Sequence, residues 1–153
     1  DLSARENLRY TARLLGIGPN ERDDRISQAL ERVSLGAEAD KKVGAYSHGM
    51  RRRLGLAEII MKQARVAILD EPTSGLDPQS TESFLLLIEE LKGDGVSILI
   101  SSHLLDQMQR ICDRVALFSN GRIVLSGRVD ELTADTPSLA DVYQRTFSTG
   151  IPS

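Results

Sequence analysis

Apolar residues recur at helical spacing up to about Gln63 and gather into short unbroken runs thereafter. Leu8, Ala12 and Leu15 fall on one helical face behind Ser3-Ala4-Arg5-Glu6. In that opening the Ser3 hydroxyl can accept from the Glu6 amide while Glu6 reaches back, and Gly16 ends the helix. Ile26, Ala29, Leu30 and Val33 mark a second helix, and Leu54, Ala57, Ile60 and Met61 form the apolar side of a third that follows Ser47. From Arg65 the period changes. Val66-Ala67-Ile68-Leu69 and Val96 to Ile100 are the continuous runs expected of parallel strands covered on both faces. Between them lies a helix with Phe84, Leu87, Ile88 and Leu91 inward, and a further helix runs from about His103 to Cys112. Val115–Ser119 and Arg122–Ser126 flank Asn120-Gly121, a two-residue turn whose twist suits a hairpin. Short helices near Val129–Leu132 and Leu139–Thr146 close the pattern. The predicted class is α/β: a helical block over 1–63, a strand–helix–strand–helix unit with a hairpin over 64–134, and a terminal helix and tail over 135–153.

With 153 residues and 41% hydrophobic content, the chain has roughly one domain's length and enough apolar surface for a core. Only 4% of residues are aromatic and none is Trp, so packing is aliphatic. Nineteen basic against 22 acidic side chains leave a formal charge of −3, which argues against a general nucleic-acid binder. The single cysteine, Cys112, has no internal partner for a disulfide, as befits a reducing, cytosolic setting, and it reads as a small core residue. No apolar run approaches the ~18–20 residues of a membrane span, and the opening residues are not a signal peptide. The chain begins mid-pattern without Met and is expected to be part of something longer.

Asp70-Glu71 is the first chemical signal. A carboxylate at the carboxyl end of a buried strand stands where open α/β sheets place ligands, and two together are costly without a cation or a reacting group. An ordinary acidic turn is the simpler reading of the pair taken alone. Asp77-Pro78 has the form of a helix start, with Asp as cap and Pro at the first helical position. Ser47 in Tyr46-Ser47-His48-Gly49-Met50 caps the third helix equally well, yet the amides and partial positive charge at that end also suit an anion. Arg51-Arg52-Arg53 reads as a solvated face, because no aromatics interleave as a nucleic-acid patch would require. His103, closing Ser101-Ser102-His103, is either a helix-start residue or a donor to a phosphate oxygen one strand from the carboxylate pair.

In this order, Tyr46–Met50, Ala67–Pro78 and Ile98–His103 resemble the signature motif, the Walker B motif with its D-loop, and the switch histidine of ABC-type ATPases. The resemblance covers essentially the whole chain and leans to the branch that serves drug, antibiotic and sodium exporters. It implies a partial P-loop NTPase (RecA-like) core with a helical signature subdomain, a mostly parallel sheet and a C-terminal hairpin. It further implies Asp70 on the Mg²⁺ side, Glu71 as catalytic base and His103 as sensor of the γ-phosphate of ATP. Ser47, His48 and Gly49 would meet the nucleotide held by a second copy of the subunit, and Asp77 would link the two sites. Transmembrane permease subunits would be the other partners, at the cytoplasmic face of the cell membrane, with no nucleic acid involved. The family's usual Leu-Ser-Gly-Gly-Gln signature is here Tyr46-Ser47-His48-Gly49-Met50, and Gln107 stands where Glu is common.

None of the twelve glycines is followed by lysine, so the Gly-x-x-x-x-Gly-Lys-Ser/Thr loop that grips a triphosphate is missing. The sequence is expected to be the carboxyl-terminal part of an ATP-binding subunit that neither binds nor hydrolyses ATP by itself. The strand feeding that loop would lie between the Val96–Ile100 and Val115–Ser119 strands, so a split sheet with an exposed edge and self-association through it are expected. The alternative is a soluble ABC-type ATPase acting on ribosomes or DNA.

Overall fold

The computed structural model describes residues 2–148, and the last five residues of the expected tail lie outside them. The chain packs as two compact units, Asp1–Ser101 and Ser102–Ser153.

The first unit opens with three helices, α1 (Ala4–Leu14), α2 (Pro19–Arg32) and α3 (His48–Met61), packed on one another. Ser3 caps α1 through the expected reciprocal pair: its hydroxyl accepts from the Glu6 amide at 3.2 Å, and the Glu6 carboxylate accepts from the Ser3 amide at 2.7 Å. Gly16, at φ +72°, supplies the left-handed residue that ends the helix. Leu8, Ile26, Leu30, Val33 and Leu56 fill the core between the three helices. Leu15 does not join them. It follows the last turn of α1, where the helical face no longer continues, and is 53% exposed. On α3 the buried stripe is Leu56, Ala57 and Met61, with Leu54 and Ile60 only half-buried.

β1 (Val66–Asp70), α4 (Pro78–Gly93) and β2 (Ser97–Ser101) complete this unit. β1 and β2 pair in parallel, Val66 beside Ser97 through to Asp70 beside Ser101. The register puts Ile68 next to Leu99 on one side and Leu69 next to Ile100 on the other. Only the second side is covered. Val66, Ile68 and Leu99 are 63%, 74% and 63% exposed, so the strands are not buried on both faces as their apolar runs suggest. α4 turns Phe84, Leu85, Ile88 and Leu91 inward; Leu85 takes the place expected for Leu87, which is half-buried.

In the second unit α5 (Leu105–Ile111) is followed by the hairpin β3 (Arg114–Ser119) and β4 (Arg122–Arg128), then α6 (Val129–Leu132) and α7 (Leu139–Ser148). Asn120 and Gly121, at φ +48° and +74°, form the hairpin turn. The register slips between Leu117 and Phe118, so that Phe118 faces Ile123. α5 begins at Leu105 rather than His103 because the Ser102 hydroxyl accepts from the Leu104 amide at 3.1 Å, a local turn in place of a first helical turn. Met108, Ile111, Leu139 and Val142 bury the contact between α5 and α7. Cys112 ends α5, half-buried, with its sulfur 3.8 Å from that of Met108.

The sheet is therefore in two pieces, β1–β2 parallel and β3–β4 antiparallel. Among the described residues no helix is long and apolar enough to cross a membrane.

Candidate functional site

Tyr46 fixes the approach to α3. Its ring is buried and its hydroxyl donates to the Glu38 carbonyl at 2.6 Å, while burial pushes its phenol pKa up. Ser47 follows in extended conformation and caps the helix, accepting from the Met50 amide at 3.2 Å. The bond uses an oxygen lone pair and leaves the hydroxyl proton free to donate outward. Ser47 and His48 are exposed, so this end of the helix, with its unpaired amides and partial positive charge, is open to an anion.

At the end of β1, Asp70 lies beside Ser101, and the Ser101 hydroxyl donates to the Asp70 carboxylate. The Glu71 amide donates to the Ser101 carbonyl at 3.0 Å, which extends the ladder one residue further. The backbone then turns sharply, with Glu71 itself at φ +41°. Side chains rarely occupy that region, which is enriched at strained functional positions. The connection is closed by hydrogen bonds of 3.2 Å from the Ser74 amide to Glu71 and from the Leu76 amide to Thr73, with Gly75 at φ +74°. Asp77 caps α4, accepting from the Ser80 amide at 3.0 Å, and Pro78 takes the first helical position. Hydrogen bonds from the Ser80 side chain and amide hold the Asp77 carboxyl below the usual aspartate range.

The start of α3 and this connection meet. His48 Nε2 is 3.1 Å from the Ser74 carbonyl, and Arg52 donates to the Glu71 carbonyl at 3.3 Å. A Cβ added at Gly49 would lie 3.4 Å from Ser80 Oγ, so the glycine allows an ordinary close fit. Ser47, His48, Gly49, Asp70, Glu71 and Asp77 thus belong to one unit and to elements that touch. His103 falls in the second unit, exposed, just ahead of α5. Sequence reasoning missed Ser101, readable as a polar residue at the end of a neighbouring strand, and Arg52, which the triple-arginine run disguises. The i, i+4 spacing of His48 and Arg52 is the one signal that marks them as sharing a helix face.

Among the described residues no three His, Cys, Asp or Glu side chains gather into a site able to hold a metal by themselves. One carboxylate with a neighbouring hydroxyl suits Mg²⁺, which keeps much of its water and arrives with phosphate oxygens. Asp70 and Ser101 are such a pair.

The family model described as ABC transporter matches residues 1–74. The chain is 36% identical over 136 residues to the daunorubicin resistance ATP-binding protein DrrA3 of Streptomyces coeruleorubidus, which is 89% of this chain and 43% of that protein. It is 37% identical over 131 residues to the ABC transporter ATP-binding protein YxlF of Bacillus subtilis (strain 168), 86% of this chain and 44% of that protein. Among solved structures, cbiO1 of Clostridium perfringens, part of the ABC transporter complex cbiONQ, superposes with a TM-score of 0.79 at 28% identity. That match covers 99% of this chain and 59% of the other. The chain spans less than half the length of these curated relatives. In sequence and in fold, the chain matches part of an ABC transporter nucleotide-binding domain.

Proposed function

We propose that these residues form the signature-bearing and carboxylate-bearing part of the ATP-hydrolysing subunit of an ABC exporter. The drug-resistance protein DrrA3 and a Nod factor export protein, 37% identical over 127 residues, are in keeping with export, while a methionine import protein, 38% identical over 137 residues, makes import the competing direction. The observation that carries the proposal is the end of β1, where Asp70 sits in register with Ser101 and Glu71 is turned out of the strand in a left-handed backbone conformation.

Bound with ATP, Mg²⁺ would neutralise charge on the phosphoryl group being transferred. Asp70, oriented by the Ser101 hydroxyl, holds the metal side of the site. Glu71 takes a proton from the attacking water. Ser47 and the amides after it, through Gly49, donate to a phosphate of ATP seated on a second copy of the subunit, with His48 beside them. Asp77, at the start of α4, joins one site to the other across that dimer, and His103 donates to the γ-phosphate. Permease subunits would hold the assembly at the cytoplasmic face of the membrane and move as the dimer closes and opens.

Turnover provides the test. The 153-residue chain alone hydrolyses no ATP, whereas the same residues preceded by a Gly-x-x-x-x-Gly-Lys-Ser/Thr segment do. In that longer protein Glu71→Gln lowers turnover by about 100-fold or more while ATP binding persists. Hydrolysis indifferent to Glu71→Gln would overturn the assignment.

A further inference from the structure

His48 and Arg52 lie one helical turn apart on α3 and reach main-chain carbonyls of the same connection. His48 Nε2 meets the Ser74 carbonyl and Arg52 meets the Glu71 carbonyl, at 3.1 and 3.3 Å. A carbonyl only accepts, so the His48 proton sits on Nε2. The Glu71 carbonyl also receives the Ser74 amide, so Arg52 supplies its second bond. The connection itself carries two short turn bonds and two left-handed residues, Glu71 and Gly75. A Cβ on Gly75 would lie 3.7 Å from His48 Nε2, so the imidazole rests directly against the turn.

We infer that His48 and Arg52 are positioning residues that latch the open end of α3 to the connection carrying Glu71 and Asp77. The helix end that faces an anion and the loop that bears the carboxylates then move as one body. A phosphate seated on Ser47 and Gly49 is felt at Glu71 through two side chains and no rearrangement of the helix. His48 serves this coupling with its ring turned to Ser74, whatever its amide does for a ligand. The consequence for turnover rests on the function proposed above; the latch itself is a property of this chain without nucleotide.

The experiment uses the 153-residue chain. Nitrogen-15 spectra of the His48 ring should show the neutral form protonated at Nε2. Amide exchange at Ser74 and Leu76 should accelerate about five- to tenfold in His48→Phe and in Arg52→Met, the effect of losing one net hydrogen bond. His48→Gln, which keeps a donor near the Nε2 position, should restore the slow exchange. Amides of Ile26 and Leu30 in α2 report whether each variant remains folded. If His48→Phe unfolds, the ring spectrum and the folded His48→Gln variant decide the matter. A ring protonated at Nδ1 overturns the latch, as does unchanged exchange in His48→Phe. Failure of His48→Gln to keep slow exchange also overturns it, since packing of the ring and not its donor would then be at work. A latch present in these measurements, with ATP turnover in the longer protein indifferent to Glu71→Gln, sinks the proposed function and leaves the latch standing.

Discussion

The Ser101 hydroxyl donates to the Asp70 carboxylate across two parallel strands that end in register. One carboxylate oxygen is thereby oriented by the neighbouring strand, and the group remains exposed at the sheet end. In a longer protein that supplies the phosphate loop, Asp70→Asn should raise the Mg²⁺ needed for half-maximal turnover and lower turnover by about 100-fold or more. Ser101→Ala removes only the orienting bond and should cost about tenfold, the usual range for a partner of a metal ligand. Titrating Mg²⁺ at saturating ATP separates the two variants. Equal, small effects of both would show that Asp70 holds no metal.

Asp77 gives a pH dependence whose sign follows from its hydrogen bonds. Ser80 holds the folded carboxyl below its unfolded value, so the ionised cap adds stability above the ordinary aspartate value of about 3.9. That contribution is lost as the pH falls through the lower, folded value. Asp77→Asn keeps an acceptor for the Ser80 amide but has no proton to gain. The stability advantage of the native chain over Asp77→Asn should therefore close in strongly acid solution, as read from urea midpoints at a series of pH values. A difference that stays constant across the series would show that the carboxylate charge plays no part.

The bare side of β1 and β2 predicts an asymmetry between two isoleucines. Ile88 on α4 is fully buried, whereas Ile68 is 74% exposed beside the exposed Leu99. Ile88→Ala should destabilise the chain by roughly 2–5 kcal/mol. Ile68→Ala should change stability by only about 0.5 kcal/mol. Ile68→Thr with Leu99→Thr should weaken self-association by removing exposed apolar surface, and analytical ultracentrifugation would measure it. A chain that remains monomeric at high concentration without these substitutions would rule out association through this side.

Local chemistry was the legible part of the fold. The caps at Ser3, Ser47 and Asp77 and the Asn120-Gly121 turn each depend on residues within a few positions, so their patterns survive any tertiary context. Choices between adjacent apolar residues were not legible. Whether Leu56 or Leu54, and Leu85 or Leu87, goes inside depends on the element across the contact, which periodicity does not encode. The runs in β1 and β2 announced strands but not whether both sides are covered. In the candidate site, the positions of Asp70, Glu71 and Asp77 at strand end and helix start could be read directly. The ties from His48 and Arg52 could not, because their acceptors are main-chain carbonyls 26 and 19 residues away and no side-chain pattern marks them.

Glu71 occupies a backbone conformation that glycine would adopt without steric penalty and that a side chain resists by roughly 1 kcal/mol. If Glu71 is the base proposed above, stability and chemistry pull in opposite directions at this single position. On that proposal, drift in relatives that do not hydrolyse ATP would favour glycine or asparagine there, and the identity of residue 71 across a lineage would record which members retain the chemistry.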